Sequence, residues 1–110
     1  MASNRHQQIG QLLVGIEDQL RQLQFWQNAL PSAEAFASDL PFCYDTMAFP
    51  QWLQFIFLQK MHKLVLHISA LPKACAIAPY AEEYFKSVDA DTQTLSAHLA
   101  EIDKLLTENR

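Results

Sequence analysis

The sequence is poor in cysteine, glycine and positive charge. Its 110 residues include 2 cysteines and 2 glycines, and the formal net charge is −4. This acidic balance argues against broad electrostatic binding to nucleic acid or to acidic lipid, although it leaves room for a local basic patch. Cys43 and Cys75 are too few for a disulfide framework, so we interpret them as two buried reduced thiols.

Motifs of known chemistry are also missing. The chain has no Gly-rich phosphate loop, no GxSxG and no HExxH. His62 and His67 are five residues apart, which places them about 140° apart around a helix. They therefore do not chelate one metal ion as an i, i+4 pair does. We expect no catalytic residue, no metal site and no cofactor.

Segments that would direct the chain to a membrane are not predicted. The N-terminus has no apolar region after its first charge, so it does not resemble a signal peptide. The longest uncharged runs contain several glutamines or a proline, so none reads as a membrane span. We expect a cytoplasmic protein whose residues 1–110 form a single domain with its own core.

Helical periodicity dominates what is present. A first amphipathic helix is predicted over residues 4–27, and a last one runs to about Glu108 after a cap at Asp89 or Asp91. Both carry apolar residues at alternating four- and three-residue steps. These are Ile9, Leu13, Ile16, Leu20 and Leu23 in the first helix, and Leu95, Leu99, Ile102 and Leu106 in the last. Gly15 is either a tolerated loss of helix stability or a point where another helix comes close.

A central helix is predicted from Pro50 to about Ile68, within the most apolar part of the chain. A helical wheel gives it two apolar faces. The face assigned to the core has Leu53, Phe57, Met61, Leu64, Val65 and Ile68, and the other has Trp52, Phe55, Ile56 and Leu66 among Gln59, Lys60, Lys63 and His67. A helix that is apolar on two sides lies at the centre of a fold or is covered by a partner. We find no partner within the chain for the second face.

Prolines separate the helices. Leu30-Pro31 is predicted to end the first helix, and Ser32 is predicted to cap a short turn. Pro79 opens a short helix over roughly residues 80–88. Three long helices with one or two short ones, and no convincing strand, predict an all-α helical bundle that resembles a four-helix bundle.

Two sets of polar residues are candidate contact sites. Lys60, Lys63 and His67 share a helix face with Trp52 and Ile56, and this surface either packs against a second subunit, contacts RNA or is solvated. Burial against a second subunit is our leading interpretation.

Asp45 and Thr46 form a polar pair in the apolar loop before the central helix. Capping of a turn through backbone N–H groups is the usual role of such residues, and direct contact with a ligand or partner is the alternative. The aromatic residues of the C-terminal half, with Trp26, either belong to the core or line a small-molecule pocket. These are Tyr80, Tyr84 and Phe85.

Several short segments stand in a distinctive order along the chain. They are Leu40-Pro41-Phe42, Asp45-Thr46-Met47, Gln51-Trp52-Leu53-Gln54-Phe55, Met61, Leu71-Pro72 and Ile77-Ala78-Pro79-Tyr80. This ordered set resembles the YqcC-like family of small bacterial proteins. The resemblance covers essentially the whole chain and implies an all-α bundle of unknown biochemical function, encoded beside a tRNA pseudouridine synthase. Where that family often has Ile-Pro-Arg, this chain has Leu58-Gln59-Lys60, so we expect a straighter central helix.

The function predicted from these observations is a non-catalytic protein-interaction module that forms a homodimer. A role accessory to tRNA pseudouridine modification, with the synthase or a tRNA as partner, rests on the resemblance alone. The alternatives are a tRNA-binding accessory domain and a small-molecule-binding bundle.

Overall fold

The computed structural model describes residues 4–72 and 76–107, and it contains helices but no strand within them. The elements are α1 (Asn4–Gln22), α2 (Ala33–Phe36), a 3₁₀ turn (Pro41–Cys43), α3 (Phe49–Trp52), a π-helical turn (Leu53–Phe57), α4 (Leu58–Leu66), α5 (Ile77–Phe85) and α6 (Gln93–Thr107). Because α3, the π-helical turn and α4 follow one another directly, we call residues 49–66 the central helix. The predicted all-α bundle is confirmed. Cys75 and Glu108, which enter the predictions, lie outside the described residues.

The core is built around two aliphatic seams, which face each other across the contact of α1 with α6. The seam residues within the two helices are all 0% exposed: Ile9, Leu13, Ile16 and Leu20 in α1, and Leu95, Leu99, Ile102 and Leu106 in α6. Leu23, predicted as the last member of the first seam, lies beyond α1 and is only partly buried. Two further contacts complete the bundle, because α1 also packs on α4, and α5 packs on α6. Gly15 marks the close approach of α6, since a Cβ atom there would lie 2.9 Å from His98 Nε2.

The first helix ends at Gln22, five residues earlier than predicted. Gln24 adopts a left-handed backbone with φ 64°, and the Phe25 N–H donates to the Leu20 carbonyl at 2.8 Å. This 6→1 bond is typical of a Schellman stop. It turns the chain so that Phe25 stacks on Phe85, with ring centroids 6.0 Å apart. The sequence conceals this stop because glutamine occupies the position where glycine is usual.

The central helix is continuous but not regular, although it lacks the family's proline. The Leu58 N–H donates to the Leu53 carbonyl, five residues back, which is the hydrogen bond of a π-helix. The extra residue in this turn moves every later side chain around the helix axis relative to a regular wheel. Leu58 is consequently 1% exposed. Ile68 lies beyond the end of the helix, with a left-handed φ of 48°, and is 49% exposed. The prediction of Ile68 as a core residue was therefore wrong, and the helix ends at Leu66.

The helix α5 begins at Ile77, three residues before the predicted start. The carboxylate of Asp103, on α6, accepts the N–H of Ile77 at 3.1 Å and the N–H of Ala78 at 2.7 Å. These two bonds satisfy amide groups that a helix N-terminus leaves without a partner. The start of α5 is thus fixed by a neighbouring helix and not by Pro79.

Two predicted caps are confirmed. Ser32 Oγ accepts the N–H of Ala35 at 3.2 Å and begins α2. Asp91, not Asp89, begins α6, because its carboxylate accepts the N–H of Gln93 at 3.2 Å. Within residues 4–72 and 76–107, no helix has both the length and the apolar character of a membrane crossing.

Candidate functional site

The connection between α1 and the central helix has a small apolar cluster of its own. Ala35, Cys43 and Met47 are buried in it, and Trp52 and Ile56 of the central helix pack against it. The connection is therefore an ordered part of the fold that forms one side of the central helix.

Asp45 and Thr46 hold this connection together, but not in the predicted way. The Ser38 hydroxyl donates to the Asp45 carboxylate at 2.5 Å, and the Thr46 hydroxyl donates to the Ala35 carbonyl at 2.7 Å. Neither bond involves a backbone N–H group, whereas we expected these residues to cap a turn by accepting such groups. A role of this pair in contacting a partner stays a prediction.

Phe42 inserts its ring among aromatic residues of the central helix and α5. It stacks on Tyr80 with centroids 4.4 Å apart, and it meets Trp52 edge-on at 4.8 Å. Trp52 also stacks on Phe57 at 5.6 Å. The prediction that the Trp52 side of the helix has no partner within the chain was wrong, because Phe42 and the small cluster of the connection pack against it.

The other aromatic residues divide into two places. Tyr80, Tyr84 and Phe85 surround Phe49, with centroid distances of 5.1, 5.8 and 5.8 Å. The guanidinium group of Arg21 instead lies over the Trp26 ring, with its Cζ atom 4.2 Å from the ring centroid. The structure therefore does not join Trp26 to the other three in one pocket.

Burial raises the pKa of the Tyr80 hydroxyl, and the nearby Tyr84 and Tyr44 hydroxyls add to the rise. Tyr80 is therefore a neutral phenol at neutral pH.

The backbone at Phe42 is strained. Phe42 has φ 57° and the next residue, Cys43, has φ 49°. Each left-handed residue that is not glycine costs about 1–2 kcal/mol. The contacts of the Phe42 ring and the burial of Cys43 in the small cluster offset this cost. Strained residues of this kind cluster at binding sites and switch regions.

Gln54 fastens the π-helical turn to Gln27, in the connection that follows α1. Its side chain is 4% exposed in the apolar core. The side-chain amide accepts the Gln27 N–H at 2.9 Å and donates to the Gln27 carbonyl at 2.8 Å. Gln51 adds a bond from its own amide to the Gln27 side chain at 3.0 Å. Sequence reasoning missed this clamp, and its signal was a pair of glutamines, three residues apart, inside an apolar helix.

The outer face of α4 is basic. Lys60 and Lys63 are exposed there, as is His67 directly after the helix, and the sequence has no Asp or Glu between Asp45 and Glu82. The ion pairs of the described residues lie elsewhere, on α1 and at the end of α5. A protein with net negative charge therefore has one helix face with uncompensated positive charge.

An apolar cavity of about 320 Å³ opens beside this face. Its walls come from the connection, the central helix, α5 and α6, and they include Phe42, Trp52, Ile56, Phe57, Ile77 and Leu106. Lys60 is the one charged side chain among the described residues of its lining. A larger depression of about 450 Å³ lies between α5 and α6, but its walls are more polar and it is more open to solvent.

The structure thus brings together part of the predicted interaction surface. Trp52, Ile56 and Lys60 meet at the apolar cavity, while Lys63 and His67 continue the basic face of α4 beyond it. Over residues 4–72 and 76–107, no three His, Cys, Asp or Glu side chains are grouped in a way that would hold a metal ion.

Comparison with known proteins gives one family and two full-length relatives. The family model DUF446, described as tRNA pseudouridine synthase C, matches residues 8–105. An uncharacterized protein of Haemophilus influenzae is 39% identical over 102 residues, which are 93% of this chain and 95% of that protein. The uncharacterized protein YqcC of Escherichia coli is 33% identical over 104 residues, 94% of this chain and 95% of its own.

The solved structures and a longer relative add two further matches. The solution NMR structure of E. coli YqcC superposes with a TM-score of 0.81 at 33% identity, covering 98% of this chain and 92% of that one. A protein of Pectobacterium carotovorum named tRNA pseudouridine synthase C is 45% identical over 71 residues. That match spans 64% of this chain but only 19% of the Pectobacterium protein.

Proposed function

The chain belongs to the DUF446 family, described as tRNA pseudouridine synthase C, and on this premise we propose that it is a non-catalytic protein-interaction module that works beside a tRNA pseudouridine synthase. The observation that carries the proposal is the Pectobacterium protein of that name, in which the segment similar to this chain is 19% of a longer polypeptide. Covalent linkage keeps two parts at high effective concentration. A segment that is linked to the rest of such a protein in one bacterium is a good candidate for non-covalent association with a similar protein in another.

The residues at the cavity favour binding over catalysis. Those that the structure describes there are aromatic and aliphatic side chains, small residues and one lysine. General acid–base or nucleophilic chemistry needs titratable groups that are positioned in pairs. An apolar patch beside exposed charges is instead the usual composition of a protein-binding surface.

The surface proposed for this contact is the basic face of α4 with the adjoining apolar residue Ile56. Lys60 and Lys63 are exposed on a helix that carries no acidic residue, and the exposed His67 follows its last residue. Such a field attracts a partner with a negatively charged patch and fixes its orientation. The partner surface on the synthase is accordingly proposed to be acidic.

A titration of the tRNA pseudouridine synthase C of the source organism with this chain tests the proposal. We expect calorimetry to give a Kd on the order of 1 µM and the Lys63→Glu variant to bind about tenfold more weakly. Lys104→Glu is the matched control, because Lys104 is also an exposed lysine but lies on α6. An absence of heat and of complex on size-exclusion chromatography would refute the association.

Self-association is a second candidate, favoured by a complementary surface within the chain. The connection between α1 and the central helix has acidic residues, with no Lys or Arg between Arg21 and Lys60. It also exposes large apolar side chains, namely Leu30, Phe36, Leu40 and Tyr44. In a two-fold homodimer, the connection of each protomer would cover the basic face of the other.

Light scattering tests the homodimer. A homodimer would have a mass twice the 12.6 kDa of the chain. Lys63→Glu and Asp39→Lys should each give monomers, and the double variant should restore the dimer because the opposite charges are only exchanged. A monomeric parent protein removes this candidate.

Binding of tRNA has less support in the structure. Lys60 and Lys63 supply two phosphate contacts at most, and the ring of Trp52 is packed against Phe42 and not free to stack on a base. Bulk tRNA at low salt is the appropriate probe, and salt-sensitive binding at micromolar concentration would reinstate this candidate.

A further inference from the structure

Two irregular stretches of backbone build the apolar cavity beside Lys60. The central helix lines it with Trp52, Ile56 and Phe57, at the π-helical turn. The connection lines it with Phe42, whose backbone is left-handed. π-Helical turns and strained residues are both enriched at functional sites. Their meeting at one cavity is the reason to ask what the cavity binds.

The lining defines the body of a ligand. Aromatic and aliphatic side chains dominate the walls, which also include Met61 and Leu106. A sugar or a nucleotide would lose hydrogen bonds to water here without replacing them, at considerable cost in free energy. The cavity volume of about 320 Å³ is at the lower end of the range for small-molecule sites in proteins, which begins at about 300 Å³. The geometry therefore suits a small apolar body.

The charge at the rim defines the head group. Lys60 is exposed, so its ammonium group can reach from the cavity rim toward a ligand while remaining hydrated. The acid-free stretch between Asp45 and Glu82 means that no nearby carboxylate in the central helix competes for this ammonium. We infer that the cavity is a binding site for a small monocarboxylate with an aromatic or medium-chain aliphatic body, which Lys60 holds by its carboxylate.

This site shares Lys60 and Ile56 with the contact proposed with a synthase. That contact also uses Lys63 and His67, which are not part of the cavity lining. A variant at Lys63 therefore tests the synthase contact without changing the cavity.

Two matched probes test the inference directly. The compounds 4-phenylbutyrate and 4-phenylbutylamine share an apolar body and carry opposite charges. The chain has two tryptophans, so a ¹H–¹⁵N spectrum reports on the cavity through the indole N–H of Trp52, with Trp26 as internal reference. We expect a Kd for the carboxylate on the order of 0.1 mM, and binding of the amine at least about tenfold weaker. The Trp26 signal should stay in place.

Two variants assign the selectivity to one residue. Lys60→Met keeps an apolar stem and removes the charge, so it should weaken carboxylate binding about tenfold and abolish the preference over the amine. Lys63→Met is the control and should bind like the parent, because Lys63 is not part of the lining.

Four results would overturn the inference. These are no shift of the Trp52 signal up to about 5 mM carboxylate, equal binding of the amine, equal losses in the two lysine variants, and parallel shifts of both tryptophan signals.

Discussion

The α1–α6 side of the bundle and the side around Phe42 are held together by different kinds of contact. On the first, eight aliphatic residues in two regular seams are entirely buried; we call this the seam side. On the second, the rings of Phe42, Trp52 and Tyr80 are only partly buried and pack at 4.4–4.8 Å; we call this the aromatic side. The residues of the seam side follow the alternating four- and three-residue spacing of packed helices. The aromatic side contains the strained backbone, the π-helical turn and the cavity. The seam side thus contains the regular core, and the aromatic side contains most of the surface that we propose for binding.

Truncation of one buried residue on each side should give the largest difference in the free energy of unfolding between the two sides. Leu13→Ala removes a side chain with 0% exposure from the seam side, and we expect a loss of about 3 kcal/mol in the free energy of unfolding. Met47→Ala removes a buried residue from the small cluster, where neighbours can relax toward the gap. We expect that loss to be about 1–2 kcal/mol. Urea denaturation followed by circular dichroism measures both, and equal losses would mean that the two sides contribute alike to stability.

Removal of the Gln54 clamp should have the next largest effect. Gln54→Met keeps the volume of the side chain but loses its two hydrogen bonds to Gln27. We expect a loss of about 1–2 kcal/mol. The control is Gln59→Met, because Gln59 is exposed on the same helix, and its effect should stay within about 0.5 kcal/mol. A Gln54 variant as stable as this control would mean that the clamp does not hold the connection.

The seam side is the part of the fold that the sequence predicts well. The four- and three-residue steps of Leu13, Ile16 and their neighbours identify both seams, because burial there follows directly from helical periodicity. The caps at Ser32 and Asp91 are equally predictable, since each acts on an amide two or three residues away.

The aromatic side depends on partners that are distant in sequence. Periodicity does not reveal the π-helical turn, which shifts the wheel and places Leu58 in the core. Propensity does not predict a left-handed Phe42, and without that backbone the cover over Trp52 cannot be anticipated. The Asp103 carboxylate that begins α5 comes from a different helix. The exposed lysines of the candidate surface were predictable, but the cavity beside them was not.

Relief of strain at the end of the central helix should raise stability. Ile68 is left-handed with φ 48°, where a β-branched residue is unfavourable and glycine is usual. Because Ile68 is 49% exposed, little packing is lost on its removal. Ile68→Gly should increase the free energy of unfolding by about 1 kcal/mol. Ile68→Ala keeps the left-handed strain and serves as the control; a larger gain from alanine than from glycine would contradict this explanation.

The two glycines of α1 should show the smallest effects, and in opposite directions. A Cβ atom at Gly10 would meet Val65 at 3.4 Å, an ordinary contact, so Gly10→Ala should stabilise the helix by about 0.5–1 kcal/mol. A Cβ atom at Gly15 would meet His98 at 2.9 Å. In Gly15→Ala this close contact should cancel or reverse the gain in helix stability. Thermal unfolding of the two variants side by side measures this difference. Equal gains would mean that the His98 side chain can turn away from Gly15 at no cost.

Hydrogen–deuterium exchange of the chain, with and without the tRNA pseudouridine synthase, tests most directly whether the partner contacts the aromatic side and not the seam side. We predict slower exchange of backbone amides within residues 41–68 when the synthase is added, with α1 and α6 unchanged. Protection confined to α1 or α6, or no change anywhere at saturating synthase, would contradict it.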